Sequence, residues 1–229
     1  MPRGPEGLLL LDKPTGMTSH DVVDAVRRTL GTRKVGHAGT LDPMATGLLL
    51  VGAGRATRLL RFFGDLPKVY EGTARLGIET DTLDADGTIV RSSAVDVSRA
   101  EVEAAVAGLI GESMQRPPAY SAVKVGGRKL YESARAGETV EAAPRRIRVD
   151  AFEVRSFDGR DLEFGVTCSG GTYVRVLAAE VGAALGCGAH LTRLRRTAIG
   201  PYRVEDAEEP GGVIDPPRPV EAAVAHLPR

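Results

Sequence analysis

Asp-Gly dipeptides at Asp86-Gly87 and Asp158-Gly159 each sit between segments in which apolar and polar residues alternate. Such pairs supply the positive φ angles that tight hairpin turns need, so they bring antiparallel strands together at two places in the chain. The other segments do not restore a regular alternation of strands and helices. The fold class that follows is α+β, with a mostly antiparallel sheet flanked by helices.

The segments can be placed around those turns. Gly7–Asp12 has a short apolar strand pattern, Lys13-Pro14-Thr15-Gly16 is a turn, and Ser19 is the expected cap of an amphipathic helix from His20 to Leu30 that Gly31 stops. Residues 35–54 read as a Gly-rich loop followed by a buried strand, and Arg55–Phe63 as helical. Val69–Gly77 and Gly87–Arg91 alternate as strands around the acidic turn ETDTLDADG. Ser98 and Glu101 form a capping box that opens a helix ending near Gly111. Residues 115–131, QRPPAYSAVKVGGRKLY, break every pattern with paired prolines and glycines, and are expected to be an exposed, mobile excursion. After the second Asp-Gly turn, SGGTYVRVLAAEVGAALG leads into a helix and LTRLRRTAIGPYRV into a late strand. Residues 205–229 are acidic and Pro-rich and complete no element.

Composition narrows the class of protein. The 229 residues are 42% hydrophobic and 26% charged, a globular mixture that excludes disordered, collagen-like and coiled-coil chains. Apolar runs fall short of the roughly 18–20 residues of a membrane helix, and the N-terminus lacks the apolar core of a signal peptide. A soluble, cytoplasmic protein is expected. Cys168 and Cys187 cannot build a disulfide framework or a four-ligand zinc site and are expected to be reduced structural thiols. Lys+Arg and Asp+Glu balance at 30 each, yet the stretches 1–70, 115–149 and 173–203 carry a net excess of 13 positive charges. If they converge, they form one basic face; 25 of the 30 basic residues are Arg, whose planar fork suits phosphate and base edges.

Motifs for small-molecule chemistry are weak. The Gly-rich stretch lacks the GKS/T ending of a phosphate-binding loop, and Gly52-Ala53-Gly54 lacks a third glycine. The turn DTLDADG has carboxylates at 81, 84 and 86 with the wrong spacing for calcium and Ser at 93, so it reads as a turn. Taken singly, Asp42 before Pro43 is a turn former, His37 a loop histidine, Tyr70 and Tyr173 core-edge aromatics and Arg175 a surface helix residue.

Five blocks taken in order change that reading: GLLLLDKPTGMTSHDVV, KVGHAGTLDPMATGLLLVGAGRATR, KVYEGTARLGIETDTLDADG, RPPAYSAVKVGGRKLYESAR and CSGGTYVRVLAAEVG. Over about residues 7–204 the chain resembles the TruB-type tRNA pseudouridine-55 synthases. The resemblance implies isomerisation of one T-loop uridine of tRNA to pseudouridine, without cofactor or metal. By the same resemblance Asp42 in GTLDP is the catalytic aspartate, Tyr70 in KVYEG stacks on the base, and Arg175 in GTYVR pairs with the aspartate. Tyr173 is a further active-site residue, Leu194 packs beneath the target base, His37 fills the gap left by the flipped uridine, and Lys13 and Pro14 support the catalytic loop.

Breaking C1′–N1, turning the uracil and joining C5 to C1′ calls for a carboxylate near C1′, as nucleophile or as stabiliser of a cationic or glycal intermediate. The uridine must also leave its stack, at a few kcal/mol. The basic stretches 115–149, including Arg128 and Lys129, and 193–196 are the expected RNA contacts. The expected organisation is a catalytic domain over 1–204, with 115–149 as its RNA-contacting excursion. Residues 205–229 form an acidic tail where related bacterial proteins continue into a PUA-type domain, here expected to be absent or reduced. The expected partner is the T-arm stem-loop of tRNA, with no membrane and no obligate protein partner. Two rival classes are an RNA chaperone that folds tRNA without modifying it, and a small-molecule enzyme using the Gly-rich loop.

Overall fold

The structure is a computed structural model that describes residues 5–210 and 217–219. In chain order its strands and helices are β1 (Gly7–Lys13), α1 (Ser19–Leu30), β2 (Val35–His37), β3 (Thr46–Ala53), α2 (Leu60–Asp65), β4 (Lys68–Leu76), β5 (Ile78–Thr80), β6 (Ile89–Ser92), α3 (Arg99–Ala107) and β7 (Gly111–Gln115). They continue with β8 (Lys124–Val125), β9 (Arg128–Lys129), α4 (Leu130–Arg135), β10 (Arg145–Phe157), β11 (Asp161–Cys168), α5 (Val174–Ala184), β12 (Ala189–Ile199) and β13 (Tyr202–Arg203). The chain forms two compact units, Met1–Glu71 with Leu194–Arg229, and Gly72–Arg193, and passes between them within β4 and β12. The fold is α+β with a mostly antiparallel sheet, as the hairpin turns require.

In the first unit β1 and β3 pair antiparallel from Gly7↔Ala53 to Lys13↔Gly47. Both are near-continuous apolar runs because both faces are covered. Leu8, Leu10, Leu48 and Leu50 pack with Phe63, Ile199 and Tyr202, whereas Leu9, Leu11, Leu49 and Val51 pack on Val22, Val23 and Val26 of α1. β3 also pairs in parallel with β12, at Thr46↔Arg195 and Gly47↔Arg196. Only glycine permits that approach: a Cβ at Gly47 would lie 2.3 Å from the Arg196 carbonyl oxygen, on a backbone at φ 103°.

The cap of α1 differs from expectation. Thr18, not Ser19, closes the capping box with Asp21, and Gly31 ends the helix at φ 60°. Thr18 has the extended backbone that a cap needs, which frees the Ser19 side chain to turn inward. Residues 54–59 wind as a 3-10 helix before α2, so the expected Arg55–Phe63 helix is split. In the tail, Glu208 and Arg218 form isolated bridges to Leu11 and Leu8 of β1; the rest of 205–229 beyond residue 210, apart from 217–219, lies outside the described residues.

In the second unit the order is β4, β11, β10, β7, with β10 antiparallel to both β11 and β7. Asp158-Gly159 turns β10 into β11, and the Asp158 carboxylate accepts from the amides of Arg160 and Asp161. Phe152 and Phe164 meet edge to face across that ladder, and α3 packs on β10 and α5. β5 and β6 form a separate hairpin around the acidic turn. The expected excursion at 115–131 is anchored rather than loose: Gln115, Ser121 and Leu130 are buried. Its paired glycines, Gly126 and Gly127, are the two positive-φ residues of a hairpin turn between β8 and β9. Cys168 and Cys187 are buried, and neither is in a disulfide among the described residues. Among the described residues no helix is long and apolar enough to cross a membrane.

Candidate active site

The first unit presents the loop between β2 and β3, residues 38–45, and three side chains from three elements hold its backbone. Lys13, fully buried at the end of β1, donates from Nζ to the carbonyls of Pro14 (2.9 Å), Met17 (2.6 Å) and Pro43 (3.3 Å). Ser19 of α1 accepts from the Leu41 amide at 2.8 Å and donates to the Leu41 carbonyl at 3.2 Å. Arg196 of β12, also buried, donates to the carbonyls of Leu48 (2.7 Å) and Gly39 (3.2 Å). Residues 39, 41 and 43 are thus each fastened, and Asp42 stands between two of them. The Asp42 carbonyl closes a turn by accepting from Ala45 N at 3.0 Å.

Burial lowers the Lys13 pKa to about 8 from its ordinary 10.5, against the opposing attraction of the Asp42 carboxylate; the Arg196 charge lowers it further. His37 ends β2 beside this loop, and burial, followed by the charge of Arg196, lowers its pKa, which favours the neutral ring. Tyr70 lies on the buried face of β4, two residues beyond Lys68. Lys68 is itself buried and donates to the carbonyls of Phe63, Gly64 and Leu66, which fixes the start of the strand. Leu194 is buried on β12.

The second unit builds a site around the start of α5. Tyr173 is the N-cap of that helix and has no side-chain cap bond. Instead the buried Gln115 amide brackets its backbone, accepting from Tyr173 N at 2.8 Å and donating to Tyr173 O at 3.2 Å. The Arg145 guanidinium lies 4.5 Å from the Tyr173 ring centroid and also donates to the Gly171 carbonyl. Arg175, the second residue of the helix, is 4% exposed and not the surface residue its sequence context suggests. It donates to Asp84 Oδ2 at 3.1 Å and to the Tyr120 carbonyl at 2.6 Å.

Asp84 is the key residue of the acidic turn that the sequence alone leaves as a turn. It is buried, accepts from Thr82 Oγ1 at 2.6 Å and from Asp86 N at 3.2 Å, and follows Leu83, a non-glycine residue held at φ 65°. Such a backbone is strained and persists where its surroundings fix it. Here the Leu83 carbonyl accepts from Leu191 N at 3.0 Å and Arg175 claims the carboxylate. Among the described residues no cluster of His, Cys, Asp and Glu could hold a metal.

Comparison with known proteins bears on both units. Residues 27–174 match the TruB family pseudouridylate synthase N-terminal domain, and 175–209 match the tRNA pseudouridylate synthase B C-terminal domain. The chain belongs to the TruB family. It is 52% identical over 217 residues to tRNA pseudouridine synthase B of Mycobacterium sp. (strain KMS), covering 93% of this chain and 73% of that protein. It is 48% identical over 243 residues to the Geobacillus kaustophilus protein of the same name, covering 98% and 85%. Among solved structures, a Cbf5-Nop10-Gar1 complex contains a chain similar at TM-score 0.67 and 35% identity, over 86% of this chain and 50% of that one. A pseudouridylate synthase structure at TM-score 0.51 and 20% identity, over 100% and 76%, shares the fold.

Within this TruB-family chain the residues expected from sequence divide between the units. Lys13, Pro14, His37, Asp42, Tyr70 and Leu194 lie in the first, with Lys13, His37 and Asp42 brought together at the 38–45 loop. Arg128, Lys129, Tyr173 and Arg175 lie in the second, where Tyr173 and Arg175 share the start of α5. Arg128 pairs with Glu138 on the surface at 3.0 Å, and Lys129 Nζ donates to Tyr131 Oη at 3.2 Å. The expected RNA stretch 193–196 needs correction. Arg196 is buried against the loop and Arg195 is paired with Asp12 at 2.6 Å, which leaves Arg193 as its exposed cation. The sequence reads Ser19 as a helix cap, Asp84 as part of a turn and Arg196 as an RNA contact, and it gives Gln115 and Arg145 no individual role, so the part each plays at these sites was not legible from it. A buried, paired arginine or a glutamine turned onto backbone leaves no spacing signal in a single chain.

Proposed function

We propose that the chain isomerises the T-loop uridine at position 55 of tRNA to pseudouridine, and that Asp42 carries the reaction. The observation that supports this reading most is the 52% identity to tRNA pseudouridine synthase B across 93% of the chain, which runs through the Asp42 loop. The C1′–N1 bond breaks with Asp42 as nucleophile at C1′ or as stabiliser of the cationic or glycal sugar. The released uracil turns, C5 joins C1′, and the hydrogen on C5 leaves as a proton.

The chain's own residues divide the remaining work. Tyr70 stacks on the ring and assists the proton's departure. Arg175 serves as the guanidinium partner of Asp42, held at the start of α5 by Asp84 and the Tyr120 carbonyl. Tyr173 and Leu194 line the base site, and His37, with its neutral ring, fills the gap left by the flipped nucleotide. Lys13 and Pro14 support the loop. Arg128, Lys129 and the 115–149 segment contact the T-arm stem-loop. The reaction is redox-neutral and is proposed to need no metal or cofactor and no obligate protein partner. The protein is proposed to act in the cytoplasm, with residues 205–229 taking no part in RNA binding.

The experiment is to incubate the protein with an unmodified tRNA transcript, and separately with its T-arm stem-loop, and to map pseudouridine in each. Modification of the one T-loop uridine in both is expected. Binding without modification would instead identify an RNA chaperone.

A further inference from the structure

We propose that the Ser19 hydroxyl is a positioning residue for Asp42, setting the carboxylate through a two-bond clamp on the preceding residue; this rests on the reading of Asp42 as the reacting carboxylate. Ser19 opens α1, where a serine ordinarily caps the helix. Thr18 already does so, with its side chain and that of Asp21 closing the box. Ser19 is 2% exposed and directs its only polar group away from its own helix.

The hydroxyl accepts from Leu41 N at 2.8 Å and donates to Leu41 O at 3.2 Å. One side chain therefore satisfies both backbone groups of the residue next to Asp42, as a neighbouring strand would. The Leu41 side chain is buried too, so water is poorly placed to replace the hydroxyl. The other two fasteners, Lys13 on Pro43 and Arg196 on Gly39, hold carbonyls alone. Ser19 is the fastener that fixes both polar groups of one peptide residue, and so governs rotation of the backbone about Asp42.

Displacement of a reacting group by about 1 Å can cost roughly a hundredfold in rate. Ser19→Ala, and the nearly isosteric Ser19→Cys with its weak hydrogen bonding, are expected to lower kcat on tRNA by about 10- to 100-fold, with Kd for tRNA within about twofold of the parent. Ser19→Thr, which keeps the hydroxyl, should recover most of the rate. Thr18→Ala is the control: it loses the cap and about 2–4 °C of Tm, but keeps the parent kcat. The proposal is overturned if both Ser19→Ala and Ser19→Cys retain kcat within about threefold, or if Thr18→Ala loses as much rate as they do. Asp42→Asn is run alongside. Turnover in that variant would remove the catalytic reading of Asp42, whereas an inactive Asp42→Asn beside a fully active Ser19→Ala would remove the positioning role alone.

Discussion

Asp84→Asn isolates the buried ion pair, because the change removes a charge and almost no volume. Asp84 and Arg175 side chains are 6% and 4% exposed, and the pair spans 3.1 Å from Oδ2 to Nη1. An amide at 84 can keep its oxygen toward Thr82 Oγ1 and the Asp86 amide, which Oδ1 now serves. Its NH2 then faces the guanidinium, donor against donor, and Arg175 loses the Asp84 carboxylate in a buried setting. Removing one partner of a buried pair costs about 3–5 kcal/mol, because the survivor loses a carboxylate that water cannot replace. For a chain of this size each kcal/mol is about 2–4 °C, so Tm should fall by roughly 6–20 °C. Glu138→Gln supplies the comparison. It breaks the Arg128–Glu138 pair, whose side chains are 54% and 48% exposed, and should cost about 0–1 kcal/mol. Thermal unfolding by circular dichroism reads both. If Asp84→Asn melts within about 2 °C of Glu138→Gln, the pair does not hold the start of α5 and the reasoning fails.

Lys13 gives a pH dependence of opposite sign for stability and activity. Its pKa of about 8 in the folded protein lies below its ordinary 10.5, so between these values the unfolded chain binds the proton more tightly. The cost of burying the charge is complete below about pH 8 and is relieved toward 10.5, so this group makes Tm rise with pH in that window. Activity should fall there, since a neutral amine has two N–H groups for three carbonyls and the longest bond, to Pro43, is lost first. Lys13→Arg should move that alkaline fall in kcat upward; an unmoved profile would assign it to another group. Gly47→Ala should destabilise strongly, with loss of soluble protein or a Tm drop of several degrees, because its Cβ meets the Arg196 backbone at 2.3 Å; a parent-like melt would refute that packing. Reversing Arg128 and Lys129 together to Glu should raise KM for the T-arm stem-loop and flatten the salt dependence of binding, each phosphate contact being worth a slope of about 0.7–0.9 in log affinity against log salt. An unchanged salt slope would remove them from the RNA contact.

Much of the fold was legible because its signals are local. Asp158-Gly159 turned a long hairpin where expected, the alternation from Lys68 to Leu76 became β4, and the Ser98–Glu101 box opened α3. What escaped depended on partners distant in sequence. Ser19 reads as a cap until Leu41 lies against it, and the 193–196 arginines read as a basic face until Asp12 and the Gly39 and Leu48 carbonyls claim two of them. The paired glycines at 126–127 signalled an irregular segment and proved to be a tight turn, since Gly-Gly is compatible with either. Asp84 was obscured by its own neighbourhood: Asp81 and Asp86 make the stretch look like a solvated turn, and only the buried Arg175, 91 residues away, sets Asp84 apart.

The account rests on the carboxylate of Asp42. The direct measurement is pseudouridine formed at the T-loop uridine of an unmodified tRNA transcript, under single-turnover conditions with enzyme in excess, for the parent protein and for Asp42→Asn. The parent should convert the transcript fully and at that one uridine, and Asp42→Asn should bind the same tRNA with similar affinity yet form no pseudouridine. Conversion by Asp42→Asn at a rate near that of the parent would contradict the account.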